Sequence, residues 1–193
     1  SMPYWMNAGK TFLNSLEIKT DEDLGKVLLS MSSEEGAENL IKHYLPEMSV
    51  SEVLSGIVEV MNDAYKNLIP LKKGAKDLLQ KFAAKNIPVV IATATDRGLL
   101  EIALKRLEIS DLIDKIFTCS ECKTTKSVPD IYLAACNFLG TKPEETVVFE
   151  DTLLAVSTAA NAGFVVVGVK DSASKKDEEK IKEKASLIIE DFD

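Results

Sequence analysis

Three polar groups follow one another in the second half of this 193-residue chain. Thr93 closes the apolar run Ile87-Pro-Val-Val-Ile-Ala-Thr93, Lys126 lies in a loop, and Glu150 and Asp151 close the run Thr146-Val-Val-Phe-Glu-Asp151. Transfer of a phosphoryl group calls for such a set. A hydroxyl and free backbone N–H groups at a helix start hold phosphate oxygens, an ammonium offsets spreading negative charge, and paired carboxylates suit Mg²⁺. Both runs are short, rich in β-branched residues and bounded by turn or helix signals, which is the pattern of buried parallel strands. Ligands of an open α/β sheet bind outside the carboxyl ends of its strands, so each run delivers its polar group where a ligand would sit.

Each residue also has a plainer reading. Thr93, with the backbone N–H of Ala94 beside it, is a phosphate donor at the head of the next helix; the alternative is that Thr93, Thr95 or Asp96 merely caps that helix. Lys126 is a fixed cation for the transferring group, or else a solvated lysine ahead of a Pro129 at the first helical position. Glu150 and Asp151 repel one another unless a cation or hydrogen bonds compensate them, which favours metal ligation; otherwise Asp151 caps the helix that begins near Leu153. The single histidine, His43, falls at a helix end and has no catalytic cysteine to act with.

The elements that position these groups alternate from Gly74 onward. The pattern predicts helix over Ala75 to Asn86, strand over Ile87 to Thr93, helix over Arg97 to Leu107, a short strand at Lys115 to Phe117 and helix over Pro129 to Leu139. It continues with strand over Thr146 to Glu150, helix over Leu153 to Ala162, strand over Phe164 to Val169, a charged helix near Lys175 to Lys184 and a last strand at Leu187 to Ile189. Such alternation implies a parallel sheet with right-handed crossovers and helices on both faces. Residues 1 to 67 instead read as a small helical bundle. Ser33 is its expected helix cap, Pro46 separates two helices, and Pro70 with Gly74 marks the boundary.

Composition narrows the function classes. A chain that is 46% hydrophobic and 28% charged can bury one core and a second small lobe. With 31 acidic against 23 basic residues the net charge of -8 disfavours nucleic acid and anionic membrane surfaces as partners. No run of about 18 apolar residues and no leader-like segment is present, so the expected location is cytoplasmic, with reduced thiols. Cys119-Ser-Glu-Cys122 has the spacing of a redox or zinc pair, but with Cys136 and His43 the only other thiol and imidazole, a closed zinc site is not expected.

Order and spacing together carry a resemblance over essentially the whole chain. Ile-Ala-Thr93-Ala-Thr-Asp-Arg97, Lys126-Ser-Val-Pro-Asp-Ile-Tyr132 and Phe149-Glu-Asp-Thr152, with Ala159-Ala-Asn-Ala-Gly-Phe164 downstream, resemble the second, third and fourth motifs of the haloacid dehalogenase-like phosphatases. The branch is the one with a helical cap, which includes phosphoglycolate phosphatase and β-phosphoglucomutase. The resemblance implies a Rossmann-like core over about 69 to 193 under a helical cap over about 1 to 68. It also implies a site in which Thr93, Ala94 and Lys126 hold phosphate while Glu150 and Asp151 hold Mg²⁺, and a small phosphorylated metabolite as substrate. A signalling receiver has the same residue types in a different chain order.

One motif has no counterpart. Family members open on a strand ending in Asp-x-Asp-Gly-Thr, whose first aspartate is the nucleophile, and no such segment occurs here. The stretch Ser1-Met-Pro-Tyr-Trp5 resembles the segment just after that motif in the family. The family's first strand lies between the strands ending at Thr93 and Glu150, and its absence implies a slot about 10 Å wide, two inter-strand spacings. Unpaired buried backbone is costly, so the expectation is an absent upstream segment rather than a natural gap. A phosphatase or, as its alternative, a phosphomutase, inactive without that motif, and a non-catalytic binding module are the functions left.

Overall fold

The computed structural model describes residues 1–21, 23–28 and 31–193. They divide into two compact units, Ser1–Ile69 and Pro70–Asp193. The described part of the first unit is helical: α1 (Met2–Ser15), α2 (Leu24–Leu28), α3 (Ser33–His43) and α4 (Val50–Asp63), which runs into a π-helical turn at Ala64–Leu68. Ser32 and Ser49 each accept the backbone N–H three residues on, and Glu35 and Glu52 return to the cap N–H at 2.8 Å, so α3 and α4 both start on reciprocal capping boxes. Ser33 is therefore the first helical residue and not the cap. Phe12, Leu13, Leu40 and Val53 form the core of this unit.

The second unit alternates as parallel α/β chains do: α5 (Ala75–Ala84), β1 (Val90–Thr93), α6 (Arg97–Arg106), β2 (Lys115–Thr118), α7 (Asp130–Leu139), β3 (Val147–Glu150), α8 (Leu153–Asn161), β4 (Val165–Val169), α9 (Glu178–Lys184) and β5 (Leu187–Ile189). The charged segment expected to be one helix is a 3₁₀ stretch, Ser172–Asp177, followed by α9. The first strand is shorter than its apolar run. Asn86 turns the chain at φ 53°, Pro88 has no N–H to give a ladder, and the Val89 N–H is taken by the Asp114 carboxylate at 2.8 Å, so pairing starts at Val90.

All strand pairs are parallel, yet the strands fall into two sheets: β1 with β2, and β3-β4-β5. Helix α7, the crossover from β2 to β3, packs on both β1 and β2. A right-handed crossover that passes over β1 sets β3 on the far side of β1 from β2. Each of these two strands thus turns an edge unpaired within its own sheet toward the other. The halves share one core of Ile131, Tyr132, Val156 and Val166, against which Ala92 of β1 and Val148 of β3 both pack. Gly168 keeps β4 close to its neighbours: a Cβ there would stand 2.5 Å from Ile188 Cδ1 and 3.0 Å from Ile181 Cγ2.

Candidate active site

Glu150, the last residue of β3 and paired in register with Gly168, is 8% exposed. A carboxylate this buried needs partners, and two donors meet on one of its oxygens. The Lys126 ammonium and the Tyr132 hydroxyl, the latter at 2.9 Å, both reach Oε1. Tyr132 is itself buried in the first turn of α7, and its ring centroid lies 6.0 Å from the Lys126 nitrogen. Burial first, then the charge and hydrogen bond of Glu150, push the Tyr132 phenol up, so it stays a neutral donor. Because Lys126 follows the end of β2 and reaches the end of β3, the carboxyl ends of the two sheets share one side of the unit.

Thr93 ends β1 opposite Thr118. Its hydroxyl accepts the Thr95 N–H at 3.0 Å, and its carbonyl accepts the Cys119 N–H at 2.8 Å. Asp96 is the N-cap of α6 by position, but its side chain makes no capping bond and instead accepts the Ser120 hydroxyl at 3.4 Å; Ala94, two residues before it, is exposed. Asp151 is not the cap of α8; Thr152 is, accepting the Ala155 N–H at 3.4 Å. Pro129 likewise stands at the cap of α7, one position before the first helical turn. Among the described residues no hydrogen bond or ion pair joins Thr93 or Asp151 to the Lys126–Glu150 pair. His43 is exposed at the end of α3.

Tyr132 is the site residue that spacing alone did not single out. It stands six residues beyond Lys126 and reads as one more apolar position of α7 until the fold turns its hydroxyl onto Glu150. No cluster of three or more histidine, cysteine or carboxylate groups suited to a metal occurs among the described residues. Two carboxylates are present. Glu150 keeps Oε2 without a hydrogen-bond partner among the described residues, and Asp151 is half-buried beside it. Mg²⁺ commonly takes one or two carboxylates and completes its shell with water and phosphate, so this donor set fits Mg²⁺, with its charge reduced by Lys126.

Comparison with known proteins gives the same outline. A family model described as haloacid dehalogenase-like hydrolase matches residues 5–169. A phosphorylated carbohydrates phosphatase of Thermotoga maritima is 26% identical over 162 residues, which are 84% of this chain and 75% of that protein. The mitochondrial (DL)-glycerol-3-phosphatase 1 of Arabidopsis thaliana is 32% identical over 145 residues, 69% of this chain and 48% of its own length, so this chain spans about half of it. A crystal structure of a HAD hydrolase, family IA, variant 3, from Entamoeba histolytica superposes with a TM-score of 0.78 over 98% of this chain and 86% of that one, at 24% identity, a likeness of fold.

Proposed function

The chain belongs to the haloacid dehalogenase-like hydrolases, and from that membership we propose that its site serves the hydrolysis of a small phosphomonoester, a phosphorylated sugar or polyol in kind. The observation that carries this is the Lys126–Glu150–Tyr132 cluster at the carboxyl ends of β2 and β3, with Thr93 ending β1. Thr93 and the Ala94 N–H bind phosphate oxygens between the end of β1 and the start of α6. Lys126, partly buried, offsets the charge that spreads over the transferring group, while Tyr132 fixes Glu150 and with it the lysine. Glu150 Oε2 and Asp151 are the groups that would hold Mg²⁺, which supplies Lewis-acid neutralisation of the phosphoryl oxygens when bound. The helical unit, Ser1–Ile69, is the part of the chain to which we assign substrate selection.

The covalent step needs a carboxylate nucleophile on a strand ending in Asp-x-Asp-Gly-Thr, and the two free strand edges are where that strand fits. The 193 residues contain no such segment. These 193 residues alone are therefore expected to bind a phosphomonoester without turning it over, and turnover is expected to need the strand. The test compares the 193-residue protein with a form bearing an added N-terminal apolar strand that ends in Asp-x-Asp-Gly-Thr, assayed on an aryl phosphate with Mg²⁺. Turnover is expected only in the second form. There Lys126→Met should lower it about 100-fold or more, and Asp151→Asn should remove most activity while leaving circular dichroism unchanged. Equal activity in the two starting forms would contradict the nucleophile assignment.

A further inference from the structure

Cys119 and Cys122 have no part in phosphoryl transfer, yet the turn that holds them is firmly built. The Cys122 N–H donates to Thr118 O at 3.0 Å and the Lys123 N–H to Ser120 O at 3.2 Å, one helical turn that starts at the end of β2. Thr118 Oγ1 accepts the Glu121 N–H at 3.2 Å, and Arg97 grips the Glu121 carboxylate through Nε at 2.5 Å and Nη2 at 2.6 Å. The Thr124 N–H then returns to Cys119 O at 3.0 Å, two residues before Lys126.

Residues three apart on a helical turn share a face, with Cα atoms about 5 Å apart. A disulfide spans roughly 4.4 to 6.8 Å between Cα atoms. Cys119 is buried in the core, and the half-buried Cys122 packs against the same cluster. Neither cysteine is in a disulfide among the described residues. Burial pushes the Cys119 thiol up, Lys126 pulls it down, and Cys122 and Glu150 add to the rise. The third thiol, Cys136, is separately engaged, donating to Thr141 O at 2.9 Å.

We propose that Cys119 and Cys122 form a reversible disulfide by exchange with a small-molecule disulfide, and that this bond resets the loop carrying Lys126. The more accessible Cys122 thiolate attacks one sulfur of the external disulfide and expels the first thiolate. The Cys119 thiolate then attacks Cys122 Sγ and expels the second. Two protein thiols become one disulfide, the external disulfide becomes two thiols, and the protons lost by the cysteines are taken up by the leaving thiolates or by solvent. Closing the bond draws the Cβ atoms from helical separation to about 3.8 Å. That tightens the turn tied to Thr124 and shifts the segment that aims Lys126 at Glu150.

This inference does not depend on the phosphatase reading. The test treats the reduced 193-residue protein with oxidised glutathione at mildly alkaline pH and monitors intact mass and peptide maps. The expected product has lost two hydrogen masses, carries a Cys119–Cys122 link, and reverts with dithiothreitol. Cys136→Ser should behave alike, and Cys119→Ser should stop at a glutathione adduct on Cys122. A wild type that stays reduced, or that accumulates a stable adduct, overturns the disulfide. Amide shifts of Thr124 to Ser127 in a ¹⁵N correlation spectrum test the second half: they should move on oxidation, and an unmoved set overturns the coupling to Lys126.

Discussion

The two parts of the sheet differ in how completely they are buried. In the three-stranded part, β4 has a strand on each side, and Val166 to Val169 are all buried. In the two-stranded part, every residue of β1 is only half-buried, and β3, the edge of the larger part, exposes Val147 at 51% and Phe149 at 37%. Candidate site groups end β1 and β3, both less buried than β4. A ladder on one side alone leaves such strands free to shift, so the positions of their polar ends depend on side-chain ties: Lys126 and Tyr132 on Glu150, and Arg97 on Glu121. The stable scaffold is β4 with α8 and α9, and the candidate site sits beside it.

The largest test of that contrast is Lys126→Met. It leaves Glu150 buried without its cation, and should cost about 3 kcal/mol in urea unfolding, the low end for a broken buried pair because Lys126 keeps some solvent. A loss below about 1 kcal/mol would mean that the tie is not needed. Next comes the same substitution in both parts of the sheet: Val166→Ala in β4 should cost about 2 kcal/mol, and Val90→Ala in β1 less than about half of that. Equal losses would erase the difference between the two regions. Tyr132→Phe removes one hydrogen bond to a charged group and should cost about 1.5 kcal/mol. No change would leave the phenol as packing alone.

The smallest effect belongs to the exposed tie. Hydrogen bonds from Arg97 hold the Glu121 carboxyl down to about 2, below the ordinary value of about 4.3. A depressed carboxylate contributes stability that is fully present above the unfolded value and is lost as pH falls from about 4.3 through about 2. Water and salt screen the pair, so the gain is small. Urea midpoints of wild type and Glu121→Gln should differ slightly at pH 7 and converge near pH 2. A gap that persists at pH 2 would assign the effect to packing and not to charge.

Much of this arrangement was legible in the sequence because β-branched runs and turn residues mark strands directly. β5 and the carboxyl ends of β1 and β3, at Thr93 and Glu150, fall where the pattern puts them. What escaped depended on details that periodicity does not resolve. Ile87 belongs to the apolar run but not to β1, since Pro88 and the Asp114 side chain intervene. In the doublet Ser32-Ser33 only Ser32 has a glutamate three residues on, a signal that was readable. Thr152 and not Asp151 caps α8, which leaves the Asp151 carboxylate available. The bond from Tyr132 to Glu150 spans 18 residues, and only the packing of α7 across β1 and β2 creates it.

The facing edges of β1 and β3 are the central claim, and amide hydrogen exchange measures them directly. In the 193-residue protein, the alternate N–H groups of Val90 to Thr93 and Val147 to Glu150 that point away from β2 and β4 should exchange far faster than those of β4. In the form with the added strand they should gain protection, because each then has a carbonyl partner. Edge amides already as protected as those of β4 in the 193-residue protein, or unchanged by the added strand, would contradict the claim.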